Sequence, residues 1–228
     1  MAGQSNMAGR GFLSEADPIS SPRLWVLRNG RWQPMYAPVN GDRPFSGISL
    51  AESFALHYSE AHDADVGLIP CADGGTSLDD WAVGGLLFDH ALMQTRLAMR
   101  SSRLCGILWH QGEGDCGGDQ YPFYEEKLMQ ILLAFRKELE QPQLPIVLGE
   151  LGSFLASCPS NPDLKNYVHI NKALKHISDT HPDIGLASAE GLTSNPDMLH
   201  FNSASLRILG IRYAEVLDTL LHPFAYNA

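Results

Sequence analysis

Asp197 and His200 stand three residues apart near the end of a 228-residue chain, and Ser5 stands near its start. A spacing of three places two side chains on one side of a turn or of a first helical turn. There an aspartate can accept a hydrogen bond from one imidazole nitrogen. That bond fixes the tautomer, leaves the other nitrogen basic and stabilises the imidazolium. Taken alone, the pair reads more simply as a surface cap, with Asp197 ahead of a helix. Serine, for its part, is a poor nucleophile until a base removes its proton. Ser5 lies in Gly3-Gln4-Ser5-Asn6-Met7-Ala8-Gly9, whose small residues let the backbone turn sharply and let a substrate approach closely. Its plainer reading is a turn or N-capping serine.

Two further clusters offer hydrogen-bond donors. Gly74-Gly75-Thr76 follows an apolar run and can present backbone N–H groups into a cleft. Such donors stabilise the oxyanion that forms when an ester carbonyl is attacked. The side-chain amide of Gln111, in His110-Gln111-Gly112-Glu113-Gly114-Asp115, can supply another. An ordinary Gly-rich turn and a buried residue holding a loop are the competing readings. His110, Glu113 and Asp115 could instead ligate a metal, but no second cluster offers partners for the three or four ligands that a zinc site takes. Paired carboxylates for glycoside hydrolysis would leave Ser5, Gly75 and His200 without a role.

These clusters need a scaffold, and the chain supplies an alternating one. Residues 49–62, 86–99, 121–140, 164–180 and 203–221 read as helices, the third with Leu128, Ile131, Leu132 and Phe135 along one side. Residues 66–69, 104–109, 146–148 and 184–187 are short apolar runs that read as buried strands. Strands alternating with helices predict βαβ units and a mostly parallel α/β sheet covered on both faces. Ligands of such sheets bind beyond the carboxyl ends of the strands, where three of the four clusters fall. Asn29-Gly30, between Trp25-Val26-Leu27 and Trp32, signals a hairpin within an excursion at about 17–44, on the rim of the sheet. With no repeat or linker in sight, a single domain over 1–228 is expected.

Composition narrows the partners. Sixteen Lys and Arg against 26 Asp and Glu give a net charge of −10. That balance disfavours nucleic acid and anionic membrane surfaces, which need clustered cations. No apolar run approaches the length of a membrane span. The first eleven residues are small and polar rather than a signal peptide, so a cytoplasmic setting is expected. Cys71, Cys105, Cys116 and Cys158 stand singly, without metal-knuckle or redox spacing. Cys71 and Cys105 read as buried thiols. A disulfide between Cys116 and Cys158 stays open.

Together the four clusters resemble the block pattern of SGNH hydrolases, and within them the sialate O-acetylesterase and acetylxylan-esterase-like group, carbohydrate esterase family six. Gly3 to Gly11 resembles the nucleophile block. Gly74-Gly75-Thr76-Ser77-Leu78 with Trp81 resembles the second block, and Trp109-His110-Gln111-Gly112-Glu113-Gly114-Asp115 the third. Asp197-Met198-Leu199-His200 with Phe201-Asn202 resembles the last. The resemblance implies a three-layer α/β/α sandwich with a flavodoxin-like, mostly parallel sheet. It implies Ser5 as nucleophile and His200 as base. Asp197 is the implied orienting residue, with Glu113 as its partner or alternative. The implied oxyanion donors are the N–H groups of Ser5 and Gly75, Gly74 being the lesser choice, and the Gln111 side chain. The activity implied is hydrolysis of acetyl esters on a small sugar or polysaccharide, without metal or organic cofactor; a non-catalytic carbohydrate-binding protein on an esterase scaffold and a lipid or thioester esterase are the alternative readings, and a homo-oligomer is compatible with each. Trp81, Trp109, Tyr121 and Phe201 are candidates for the sugar side, with core packing the competing role. Because only Met1 and Ala2 precede Gly3, the first strand of the sheet is expected to be missing or substituted.

Overall fold

The computed structural model describes residues 1–223. In it β1 (Ala2–Gly3) pairs in parallel with β5 (Ile107–His110), Ala2 opposite Trp109 and Gly3 opposite His110. Beyond β5 the sheet continues in parallel through β6 (Ile146–Gly149) and β7 (Ile184–Ala187). On its other side β1 meets the chain that leaves β4 (Val66–Leu68). The Met1 nitrogen donates to Ile69 O, Cys71 N–H to Met1 O and Asp73 N–H to Gly3 O. β4 pairs in parallel with β2 (Leu24–Arg28), which forms an antiparallel hairpin with β3 (Arg31–Pro34). The strands thus form two sheets, in the orders β1-β5-β6-β7 and β3-β2-β4, bridged by the bonds from residues 1–3 to residues 69–73. Where the first strand was expected to be missing or substituted, the two residues Ala2–Gly3 stand between β5 and the chain that leaves β4. Periodicity could not reveal a strand of two residues. The Asn29-Gly30 hairpin adds the sheet's outer edge, and both turn residues take the positive φ that such a turn requires.

Helices cover both faces. α2 (Ala51–His62) and α6 (Ser203–Leu221) lie on one side with the single turn α1 (Ser5–Ala8). The other face carries α3 (Leu86–Ala98), α4 (Tyr124–Glu138) and α5 (Tyr167–Thr180). The strands explain why their apolar runs are continuous: Trp109, Ile146 and Leu148 face one core, Leu108 and Val147 the other. Local chemistry sets the helix starts. Ser49 Oγ accepts from Ala51 N–H while the Glu52 carboxylate accepts from Ser49 N–H, a reciprocal cap for α2. Asn202 Oδ1 accepts from Ser205 N–H and starts α6. The helix expected from 121 opens as the short 3₁₀ turn Tyr121–Phe123, and the one expected from 164 is preceded by another, Pro162–Asn166.

Below Met1, towards the amino ends of the strands, β4 and β5 part around a cavity of about 650 Å³ lined by Gly67, Leu68, Ile107, Leu108, Phe135 and Leu217 among others. The four cysteines are free. Cys116 and Cys158 make no disulfide, and Cys105 is half-buried rather than buried. No helix among the described residues is long and apolar enough to cross a membrane.

Candidate active site

Ser5 opens the turn directly after β1. Gly3 makes that position reachable: its φ is +124°, and a Cβ there would collide with the His110 carbonyl. The strand therefore lies close against β5, and Gln4 N–H donates to His110 O, 2.9 Å away. Gln4 then turns its side chain, 3% exposed, under the loop after β5, where Oε1 accepts from Gly114 N–H at 3.1 Å. The loops after β1 and β5 are thus one hydrogen-bonded unit.

His200 lies on the loop between β7 and α6. Its hairpin-like fold is held by Asn195 N–H, which donates to His200 O at 2.7 Å, and by the Asn195 amide, which donates to Arg10 O. Asn6, next to Ser5, clamps the same loop. Its Oδ1 accepts from Phe201 N–H at 3.0 Å, and its Nδ2 donates to Leu199 O at 3.3 Å and to Glu113 Oε1 at 2.5 Å. Held this way, His200 Nε2 lies 3.0 Å from Ser5 Oγ and His200 Nδ1 lies 2.7 Å from Asp197 Oδ2. The other Asp197 oxygen accepts the N–H groups of Leu199 and His200. Burial opposes ionisation of Asp197, but those bonds outweigh it and hold its carboxyl below the usual value. An ionised Asp197 accepts Nδ1–H, so Nε2 is left to accept the serine proton. The three residues drawn from opposite ends of the chain thus meet in one line.

Other expected roles are redistributed. Glu113 makes no hydrogen bond to His200; its carboxyl is buried against Asn6, because it lies under the Ser5 turn rather than beside His200. Gln111 is fully buried, and its Nε2 donates to Thr76 O at 3.1 Å and to Asp115 Oδ2 at 2.5 Å. With both amide protons engaged it has none for an oxyanion, and it ties the second and third blocks together instead. Asp115 adds to that tie by accepting Leu78 N–H. Gly74 N–H donates to Asp42 Oδ2 at 2.9 Å and is likewise engaged. Two donors remain: the N–H groups of Ser5 and Gly75 have no acceptor among the described residues. Gly75 takes a φ of +82°, and the space beside its Cα is open. Trp81, Trp109 and Phe201 are fully buried and belong to the core, with Tyr121 half-buried. His110, Glu113 and Asp115 do not converge. His110, its pKa pushed down to about 3 by burial, donates from Nδ1 to the Tyr213 hydroxyl, which itself donates to Trp109 O.

Sequence reasoning missed Asn6, Gln4 and a buried ion pair. Arg10 and Asp42 meet at 2.7 Å, their side chains 6% and 3% exposed. Asp42 also accepts from Ser46 Oγ and from Gly74 N–H, so it holds the loop of Gly74 and Gly75. Burial alone would raise its pKa, but the bonds from Arg10 and Ser46 bring it below the usual value. Asp42→Ala strands the Arg10 guanidinium in the interior. The expected loss is about 3–5 kcal/mol of unfolding free energy in urea titration, the cost of removing one partner of a buried pair.

Glu113 gives a pH signature. Burial, as the largest cause, raises its pKa from 4.5 to about 7. The folded state therefore holds a proton that the unfolded chain releases at lower pH. The stability this contributes is complete below pH 4.5 and is lost as pH rises through about 7. Glu113→Gln cannot titrate. Between pH 4 and pH 8 the wild type is expected to lose about 3 kcal/mol relative to this variant in urea unfolding.

The chain is similar to known proteins over nearly its whole length. The model of the family described as carbohydrate esterase, sialic acid-specific acetylesterase, matches residues 1–219. A probable carbohydrate esterase of Arabidopsis thaliana is 26% identical over 242 residues, covering 94% of this chain and 87% of that protein. An Arabidopsis thaliana protein solved by X-ray crystallography shares the fold with a TM-score of 0.84, at 22% identity and 95% coverage of both chains. The crystal structure of NanS shares it with a TM-score of 0.79, at 17% identity and 97% and 96% coverage. From the loops after β1, β4 and β5 to the histidine before α6, the family match covers every part of the site, and the chain belongs to the carbohydrate esterase family of sialic acid-specific acetylesterases as a carboxylic ester hydrolase.

Proposed function

We propose that the protein is a serine esterase that removes acetyl groups from a carbohydrate through an acetyl-serine intermediate. The observation that carries this reading is the line Ser5 Oγ, His200 Nε2, His200 Nδ1, Asp197 Oδ2, with spacings of 3.0 and 2.7 Å across its two hydrogen bonds. His200 Nε2 takes the Ser5 proton as Oγ attacks the acetyl carbonyl carbon. The carbonyl oxygen becomes an oxyanion held by the Ser5 and Gly75 N–H groups, each donor worth about 2.7–4 kcal/mol in the transition state. As the carbonyl re-forms, the bond to the sugar oxygen breaks and that oxygen leaves with the proton from His200. Water then gives a proton to His200 and attacks the acetyl carbon. Acetate departs, and the proton returns to Ser5.

Two features support a short acyl group on a sugar. The 650 Å³ cavity lies at the amino ends of the strands, and Ser5 is not among its lining residues, so it offers a long acyl chain no groove at the nucleophile. Phe45, 70% exposed, has the Arg10 guanidinium 5.3 Å from its ring centre beside the loop that Asp42 holds, where an aromatic face can meet the apolar face of a sugar. The test compares p-nitrophenyl acetate with the octanoate, and measures acetate release from acetylated xylan and from O-acetylated sialic acid. A strong preference for acetyl, with release from at least one sugar, is expected. Preference for octanoyl, or no acetate from either sugar, would refute the proposal.

A further inference from the structure

At the end of the molecule away from Ser5, the last turn of α2 and the end of α6 bring three ligand side chains together. His62 closes α2, Asp218 lies in the last turn of α6, and His222 follows it by one helical turn. His62 Nε2 and His222 Nδ1 each lie 2.9 Å from the same oxygen, Asp218 Oδ1. The three ligand atoms all lie within 4.8 Å of one another, and the two imidazole rings stack at 5.3 Å with 20° between their planes. His222 Nδ1 hydrogen-bonds the carboxylate. His62 Nε2 does not: despite its distance it is a buried nitrogen without a hydrogen bond, facing the cluster. A buried polar atom without a hydrogen bond is costly, and a ligand at that point would remove the cost.

We propose that His62, Asp218 and His222 form a zinc-binding site that fastens the end of α6 to the end of α2. Two imidazole nitrogens and one carboxylate oxygen make a donor set that suits Zn²⁺, whereas Ca²⁺ and Mg²⁺ take oxygen ligands. At zinc bond lengths of about 2.0–2.2 Å, tetrahedral ligand atoms stand about 3.3 Å apart. Small side-chain rotations bring the present separations to that value. Three protein ligands leave a fourth position for water. Tyr58, whose ring centre lies 4.4 Å from that of His62, backs the imidazole from within α2. None of these residues belongs to the Ser5, His200 and Asp197 line, so the site stands apart from the esterase reading.

The test is calorimetric titration of the chelator-stripped protein with Zn²⁺, alongside thermal melts with and without the metal. One saturable site per chain and a raised Tm are expected. His62→Ala and His222→Ala should each weaken binding at least about tenfold, the lower end of what even an outer-shell partner costs. His200→Ala should leave it intact, which separates this cluster from the catalytic imidazole. If His62→Ala does not fold, His222→Ala, on a side chain 48% exposed, together with Asp218→Asn carries the test. Substitution with Co²⁺ should give the visible bands of a four-coordinate ion. No saturable binding, or affinity unchanged in the variants, would overturn the site.

Discussion

Ser5→Ala is expected to lower kcat for p-nitrophenyl acetate by a factor on the order of 10⁶, the size of effect seen when a serine hydrolase loses its nucleophile. The loss should fall on kcat rather than on binding, because the hydroxyl forms the bond that is made and broken while the sugar contacts are untouched. What rate remains should come from the Ser5 and Gly75 N–H groups, which the substitution preserves. The fold should survive. Ser5 Oγ bonds to His200 Nε2 at 3.0 Å, and removing one oxygen from a side chain already 6% exposed leaves the packing in place. Thermal melts and circular dichroism should overlay those of the wild type while the esterase rate collapses.

The second large effect belongs to Asp197→Asn. An asparagine can keep the Asp197 Oδ1 bonds to the N–H groups of Leu199 and His200, so the turn persists. It cannot keep the bond to Nδ1–H, because the amide nitrogen facing His200 is itself a donor. The imidazole proton moves to Nε2, the nitrogen that must accept from Ser5 Oγ. The expected fall in kcat is about 10⁴-fold, as for a wrong-tautomer triad. Asp197 is 45% exposed, so water can partly stand in for it, and that figure is an upper bound. Glu113→Gln is the contrasting variant. Glu113 reaches His200 only through Asn6, and the amide can still accept from Asn6 Nδ2. Its kcat loss should be far smaller, while its stability profile between pH 4 and pH 8 changes as described above. A comparable loss in both variants would mean that Glu113, not Asp197 alone, orients the base.

Much of this arrangement was legible in the sequence because the fold exposes its chemistry in order. Three of the polar blocks follow apolar strands, so the loop of Gly74 and Gly75, the Gln111 block and His200 could be placed at strand ends from sequence, while Ser5 stood out only by its small-residue turn. What was not legible follows from contacts that no local pattern encodes. Gln111 has the right group for an oxyanion donor, but Asp115, four residues on, and Thr76, from another loop, take its protons. Arg10 and Asp42 are 32 residues apart with a hairpin between them, and neither marks itself as buried. Trp81, Trp109 and Phe201 look like a sugar platform in sequence but fill the core. Their neighbours decide that: Trp81 and Trp109 pack edge to face at 5.3 Å, and Phe201 packs against Phe154. β1 escaped notice because two residues carry no periodicity. Its bonds to residues 69–73 and to β5 define it instead.

The most direct test of the central claim is to treat the protein with an organophosphonate ester and locate the adduct by peptide mass spectrometry. The account predicts one phosphonyl group per chain, on Ser5, formed in step with loss of esterase activity, absent in Ser5→Ala and greatly slowed in His200→Ala. Modification at another residue with Ser5 untouched, or hydrolysis of acetyl esters that persists after Ser5 is fully labelled, would contradict it.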